Sequence, residues 1–143
     1  MFEKRPISSI YILMEPEKLL EELKQFLQFD ELNLKEKQLM LPSIKHRYAT
    51  IYIQTKRELG DLHAERKRML RNVVDEINRE SPVKLSLISA EKLASDHEII
   101  SEIDKKIKNN ELILEICEKS EKILSSASFD IKNLVELIKL ETN

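Results

Sequence analysis

The stretch that decides the fold is Ser43–Glu80, SIKHRYATIYIQTKRELGDLHAERKRMLRNVVDEINRE. Pro42 precedes it and Pro82 follows it, and a proline cannot continue a helix from within. Ser43 is read as the N-cap, its hydroxyl accepting from a free backbone N–H of the first turn. Apolar residues then recur at Ile44, Tyr48, Ile51, Tyr52, Leu59, Leu62, Met69, Val73 and Ile77. Steps of three and four keep them on one side of a helix. At 1.5 Å per residue the rod is roughly 55 Å long. A seam of that length calls for a second long helix, and for other copies of the chain as well.

The far side of the same helix is basic. Lys45, Arg47, Lys56, Arg57, Arg66, Lys67, Arg68 and Arg71 are opposed only by Glu58, Asp61 and Glu65. The whole chain carries 24 Lys+Arg against 26 Asp+Glu, which leaves 16 basic and 23 acidic residues outside this window. The near-neutral total of −2 thus hides a segment of net +5 in a remainder of net −7. Such asymmetry marks a polyanion-binding face, the alternative being a merely solvated helix surface. We expect the binding residues to be Lys56, Arg57, Arg66, Lys67, Arg68 and Arg71. Tyr48 and Tyr52 fit burial better than stacking on bases.

Outward from this helix the chain stays helical. In 143 residues there is one glycine, Gly60, and there are four prolines; 35% of residues are charged and 5% aromatic. Few turn formers and abundant Leu, Ile, Lys and Glu predict a single all-α domain with a branched-aliphatic core. Residues 1–14 read as an N-terminal arm. Glu15–Phe29 reads as a helix opened by Pro16, with Leu19, Leu20, Leu23, Phe26 and Leu27 in one stripe. The connecting DELNLKEKQLML places Leu32, Leu34, Leu39 and Leu41 against neighbouring helices.

Beyond Pro82, Ser95 and Glu98 have the spacing of a capping box, which starts a second long helix over 95–125. Ile100, Ile103, Ile107, Leu114, Cys117 and Leu124 hold its seven-residue repeat, with Asn110 in the seam as a register-setting polar residue. A second stripe runs through Ile99, Leu112, Ile113, Ile116 and Ile123. The run SSAS breaks the chain, and Ser128 caps a last helix over 128–141. That helix is too apolar to stand alone, so Ile131, Leu134, Val135 and Ile138 are read as oligomerisation residues.

Catalytic chemistry finds no foothold. One glycine rules out a GxGxxG or Walker loop. His46, His63 and His97 have no partner at metal spacing. Carboxylates alternate with lysines, as in Glu118-Lys119 and Glu121-Lys122, like surface pairs. The expectation is a binding protein, not an enzyme, with no cofactor and no metal. Cys117 reads as a core residue suited to a reducing compartment. The start MFEKRPISS has no apolar core of the secretory kind, and no run reaches the ~18 apolar residues of a membrane span.

With the long helix set beside its flanks, the sequence resembles the UvsY family of bacteriophage recombination mediators. FDELNLKEKQLMLPSIKHRYATIY resembles the family's entry segment, with Pro42, His46, Arg47, Tyr48, Ile51 and Tyr52 matching. SDHEIISEIDKKIKNNELILEICEKSEKIL resembles its second long helix, including Asp104. SFDIKNLVELIKLE resembles its closing helix through Phe129, Ile131 and Lys132. The family's Lys-x-Arg element is followed by two aromatics and a glycine. Here Arg66-Lys67-Arg68 and Arg71 lead instead into NVVDEINRESP.

The resemblance implies a non-enzymatic homo-oligomer, ring-like with about seven subunits. It would bind single-stranded DNA, contact the phage single-strand-binding protein and help a RecA-like phage recombinase assemble on the strand. It further implies residence in the cytoplasm of the infected bacterial host and no membrane partner. The reading that competes with it is a helical coiled-coil structural or adaptor protein, a virion or assembly factor, with no nucleic acid.

Overall fold

A computed structural model describes residues 14–142 of the chain. Four helices follow in order: α1 (Pro16–Phe26), α2 (Leu34–Glu80), α3 (Leu87–Ser95) and α4 (Glu98–Thr142). The described residues contain no strand, as an all-α composition predicts. The arm expected over 1–14 lies outside the described residues except for Met14, which packs on the core. The chain forms two compact units, one of Met1–Thr55 with Leu112–Asn143 and one of Lys56–Glu111.

In the first unit α1 starts with Pro16 in its first turn, where a missing N–H costs nothing. Leu19, Leu23 and Phe26 make its buried face. They join Leu41, Tyr48 and Ile51 of α2 and Ile113, Cys117 and Leu124 of α4 in one apolar cluster. The Tyr48 hydroxyl donates to the Leu19 carbonyl at 3.1 Å, so a buried phenol finds its partner in the α1 backbone. Burial raises its pKa to about 12. The Arg47 guanidinium reaches both Glu22 carboxylate oxygens, at 2.7 and 3.0 Å.

The long basic helix begins nine residues earlier than the prolines suggest. Asp30 Oδ1 accepts from the Leu32 and Asn33 N–H groups, while Asn33 Oδ1 accepts from the Asp30 N–H. The Asn33 carbonyl then takes the first helical bond, from Lys37 N–H at 2.9 Å. Asn33, not Ser43, is therefore the cap, and the reading of 43–80 as the helix is corrected to Leu34–Glu80. Pro42 lies inside it. Its ring displaces one helical bond, but the site is exposed, so water can serve the freed carbonyl. Of the linking leucines, Leu34 and Leu41 are buried while Leu32 and Leu39 stand in solvent.

In the second unit Val73, Val74, Ala90, Ala94 and Ile100 form one cluster, and Leu62, Ile103 and Ile107 another. The short α3 leaves no large-residue apolar pattern in the sequence. Ser86 caps it by accepting from Ser89 N–H at 3.2 Å, and its inward residues are the fully buried Ala90 and Ala94. The Ser95–Glu98 capping box does not form. Ser95 closes α3, its hydroxyl donating to the Glu91 carbonyl at 2.9 Å. His97 opens α4 instead: its carbonyl accepts from Ser101 N–H and its Nδ1 from Ile99 N–H at 3.1 Å.

The break expected at SSAS is also absent, and α4 runs unbroken through Ser125–Ser128. Ala127 is buried between Leu124 and Ile131 on one continuous face, so packing overrides the modest helix propensity of the exposed serines. Asn110 is buried in the seam, and its Nδ2 has no hydrogen-bond partner among the described residues. Of the second stripe, Ile113 is buried and Ile116 half-buried, while Ile99, Leu112 and Ile123 are exposed. Every apolar residue of the α2 seam from Ile44 to Ile77 is buried or half-buried within one chain. That seam does not need other copies to cover it.

Candidate nucleic-acid interface

The basic segment of α2 lies in the second unit, and its helical period sorts the cations. At about 100° per residue, Lys56, Arg57, Lys67, Arg68 and Arg71 share an arc of about a third of the circumference. All five are exposed. Gly60 and Ala64 fall within the same arc and are exposed as well, which keeps the helix surface between the cations low. A Cβ on Gly60 would meet nothing within 4 Å.

Arg66 does not belong to this face. It follows Leu59 and Leu62 and precedes Met69 and Val73 at helical spacing, so it points with the seam toward α4. There its Nε donates to Asp104 Oδ1 at 2.5 Å and its Nη2 to Oδ2 at 3.4 Å. The carboxylate raises the guanidinium's pKa above its ordinary value. Of the six expected residues, Arg66 is thus the one paired with a carboxylate of α4 and turned away from the arc of the other five. The 59–62–66–69–73 spacing was the signal that would have placed it. Asp104, which sequence reading noted only through resemblance, is its counter-ion.

Glu58 lies at the edge of the seam, beyond Asp61 and Glu65 from the arc. One of its carboxylate oxygens is buried with no hydrogen-bond partner. Burial raises its pKa to about 7, against the lowering effect of Lys106 and with a further raise from Asp61. Around neutral pH this carboxyl is therefore only partly charged, and it offsets the neighbouring cations less than an ordinary glutamate would.

The residues read as oligomerisation contacts sit in the first unit. Ile131 is 1% exposed and belongs to the chain's own core; Leu134, Val135 and Ile138 are half-buried. The apolar surface that α4 leaves open at this end is Phe129, Leu137 and Leu140, at 70%, 56% and 73% exposure. Burial lifts the Cys117 thiol to about 11, which suits a core residue. No group of three or more His, Cys, Asp or Glu able to hold a metal occurs among the described residues. None of the described helices is long and apolar enough to cross a membrane.

The family described as "Recombination, repair and ssDNA binding protein UvsY" matches residues 22–143. The chain belongs to the UvsY family. UvsY membership makes it a phage recombination mediator in general terms. Crystal structures of the bacteriophage T4 recombination mediator protein UvsY share the fold. The lattice type IV form matches with a TM-score of 0.73 at 19% identity, covering 90% of this chain and 99% of that one. The lattice type II form gives 0.71 at 19% identity, covering 91% and 99%. No curated protein sequence matches.

Proposed function

We propose that the chain binds single-stranded DNA along the α2 arc and helps load a RecA-like recombinase onto a strand coated by single-strand-binding protein. The observation that carries this reading is the clustering of five exposed cations on one arc of a long helix. Family membership supports the same role. Such a face tracks phosphates and offers few flat groups to stack on bases, so affinity is chiefly electrostatic and nearly blind to sequence. Self-association, ring-like by family resemblance, multiplies a modest patch: several arcs on one strand raise the effective concentration of each.

The test is fluorescence anisotropy of labelled oligo-dT across a salt series. Log affinity should fall on log salt by ~0.7 per phosphate neutralised on a single strand. Changing Lys67, Arg68 and Arg71 together to alanine should lower both affinity and slope, whereas Arg66→Ala should leave the slope unchanged. An unaltered slope in the folded triple variant would move the DNA site off this arc. A second reading, an adaptor that meets only proteins, is favoured by the exposed Val83, Leu87 and Ile88 around α3. It expects no salt-dependent oligo-dT binding at all.

A further inference from the structure

Gly60 is the only glycine in the chain, and it stands inside the 47-residue helix α2. A glycine there destabilises a helix relative to alanine, because it has more backbone freedom to lose. Nothing among the described residues accounts for it. Gly60 has no positive φ, so the backbone conformation does not require a glycine. A Cβ at this position would meet nothing within 4 Å, so packing does not require one either. The four positions that border Gly60 on the helix surface are Lys56, Arg57, His63 and Ala64, all exposed. None is a carboxylate, and Asp61 lies just beyond the edge of the arc. What makes use of the bare backbone therefore comes from outside the described residues, and it arrives among cations.

We infer that Gly60 seats one nucleotide of the bound strand, its base and sugar lying against the bare α2 backbone while cations on either side hold the flanking phosphates. The inference rests on the DNA reading above. Lys56 and Arg57 precede the seat by about one turn; Lys67, Arg68 and Arg71 follow it by two to three. At 1.5 Å per residue the two groups stand about 16 Å apart along the axis. Stacked nucleotides rise by only ~3.4 Å each, so a strand that reaches both groups passes over Gly60 and Ala64. The seat suits the uncharged part of that strand. Deep within α2 the backbone N–H groups are spent on helical bonds, so the exposed backbone offers a phosphate no donor. It offers carbon surface instead, on which any base can lie, so the seat does not read sequence. A duplex turns its bases toward each other and leaves the seat empty.

Two labelled probes of about ten nucleotides test it by fluorescence anisotropy: oligo-dT, and an abasic strand with the same number of phosphates. The wild-type chain should bind oligo-dT about tenfold more tightly than the abasic probe. Gly60→Leu should bind both alike, near the wild-type affinity for the abasic probe. Its salt slope should be that of wild type, because every cation is still in place. Gly60→Ala should fall between the two. Asn72→Leu adds the same side chain at an exposed position outside the arc, and should bind as wild type does. Both Gly60 variants should unfold at higher urea than wild type, which separates lost binding from a lost fold.

Equal wild-type affinity for the two probes overturns the seat, and so does a Gly60→Leu chain that keeps the preference for bases. An equal loss of both probes in Gly60→Leu would put the phosphate chain over Gly60, and a matching loss in Asn72→Leu would make the effect one of any added leucine; either overturns it. A Gly60→Ala chain that unfolds at lower urea would mean that the glycine serves the fold itself, and overturns it too. All these outcomes leave salt-dependent binding by the arc standing. Absence of that binding in wild type takes down the DNA reading, and the seat with it.

Discussion

Arg66 and Glu58 show how much one position on a helix decides. By composition both belong to the charged run. By period, Arg66 points into the seam and meets Asp104, and Glu58 turns a carboxylate oxygen inward with no partner. Glu58 then makes stability depend on pH. Its pKa is about 7 in the folded chain against an ordinary 4.5, so the folded state holds the proton more tightly. The stabilisation is full below the unfolded value and is lost as pH rises through the folded one. Urea midpoints should fall between about pH 4.5 and pH 7 and level off above. Glu58→Gln should flatten that fall, raising the midpoint near pH 8 and changing little near pH 4. Equal pH profiles for the two chains would show that the carboxyl is not held neutral.

At the scale of elements, helix type was legible and helix ends were not. The three-and-four spacing of Tyr48, Ile51, Leu62 and Val73 placed residues that are buried. Propensity makes Pro42 a stop, yet an exposed proline followed by a well-packed face is tolerated. Asn33 gives no signal in the sequence because its partnership with Asp30 is made of side-chain-to-backbone bonds that leave no hydrophobic trace. The short α3 escaped for a related reason: its buried face is Ala90 and Ala94, which no apolar pattern of large residues reveals. Asn33→Ala should therefore cost about 1 kcal/mol by urea denaturation, since it removes the side-chain bonds to the Asp30 N–H and the Gln28 carbonyl that hold the turn, and Ser43→Ala close to nothing. Pro42→Ala should stabilise the chain, since it restores a helical bond at an exposed site. A destabilised Pro42→Ala chain would mean that the proline's bend is needed for packing.

For the molecule as a whole, the all-α architecture was in the composition, and the basic face was in the charge asymmetry of one window. What the sequence could not separate was surface held by the chain's own core from surface left for partners. Ile131 and Phe129 both read as apolar residues of a terminal helix. Only the packing of α4 shows that the first is 1% exposed and the second 70%.

The division into Met1–Thr55 with Leu112–Asn143, and Lys56–Glu111 between them, sets an order of assembly during synthesis. The middle unit is one uninterrupted stretch, so all its contacts are available once Glu111 has left the ribosome. In the outer unit α1 can pair early with the start of α2, but the cluster stays incomplete until Ile113, Cys117 and Leu124 emerge. Short-range contacts form before long-range ones because less chain entropy is lost in closing them. In pulsed hydrogen exchange during refolding, amides around Leu62 and Ile103 should gain protection before those around Leu23 and Tyr48. Simultaneous protection would mean that the chain folds as a single cooperative piece. Until Leu112–Asn143 is made, the apolar face that α1 and the start of α2 share lacks its α4 cover, and that interval is when the nascent chain is most open to wrong partners.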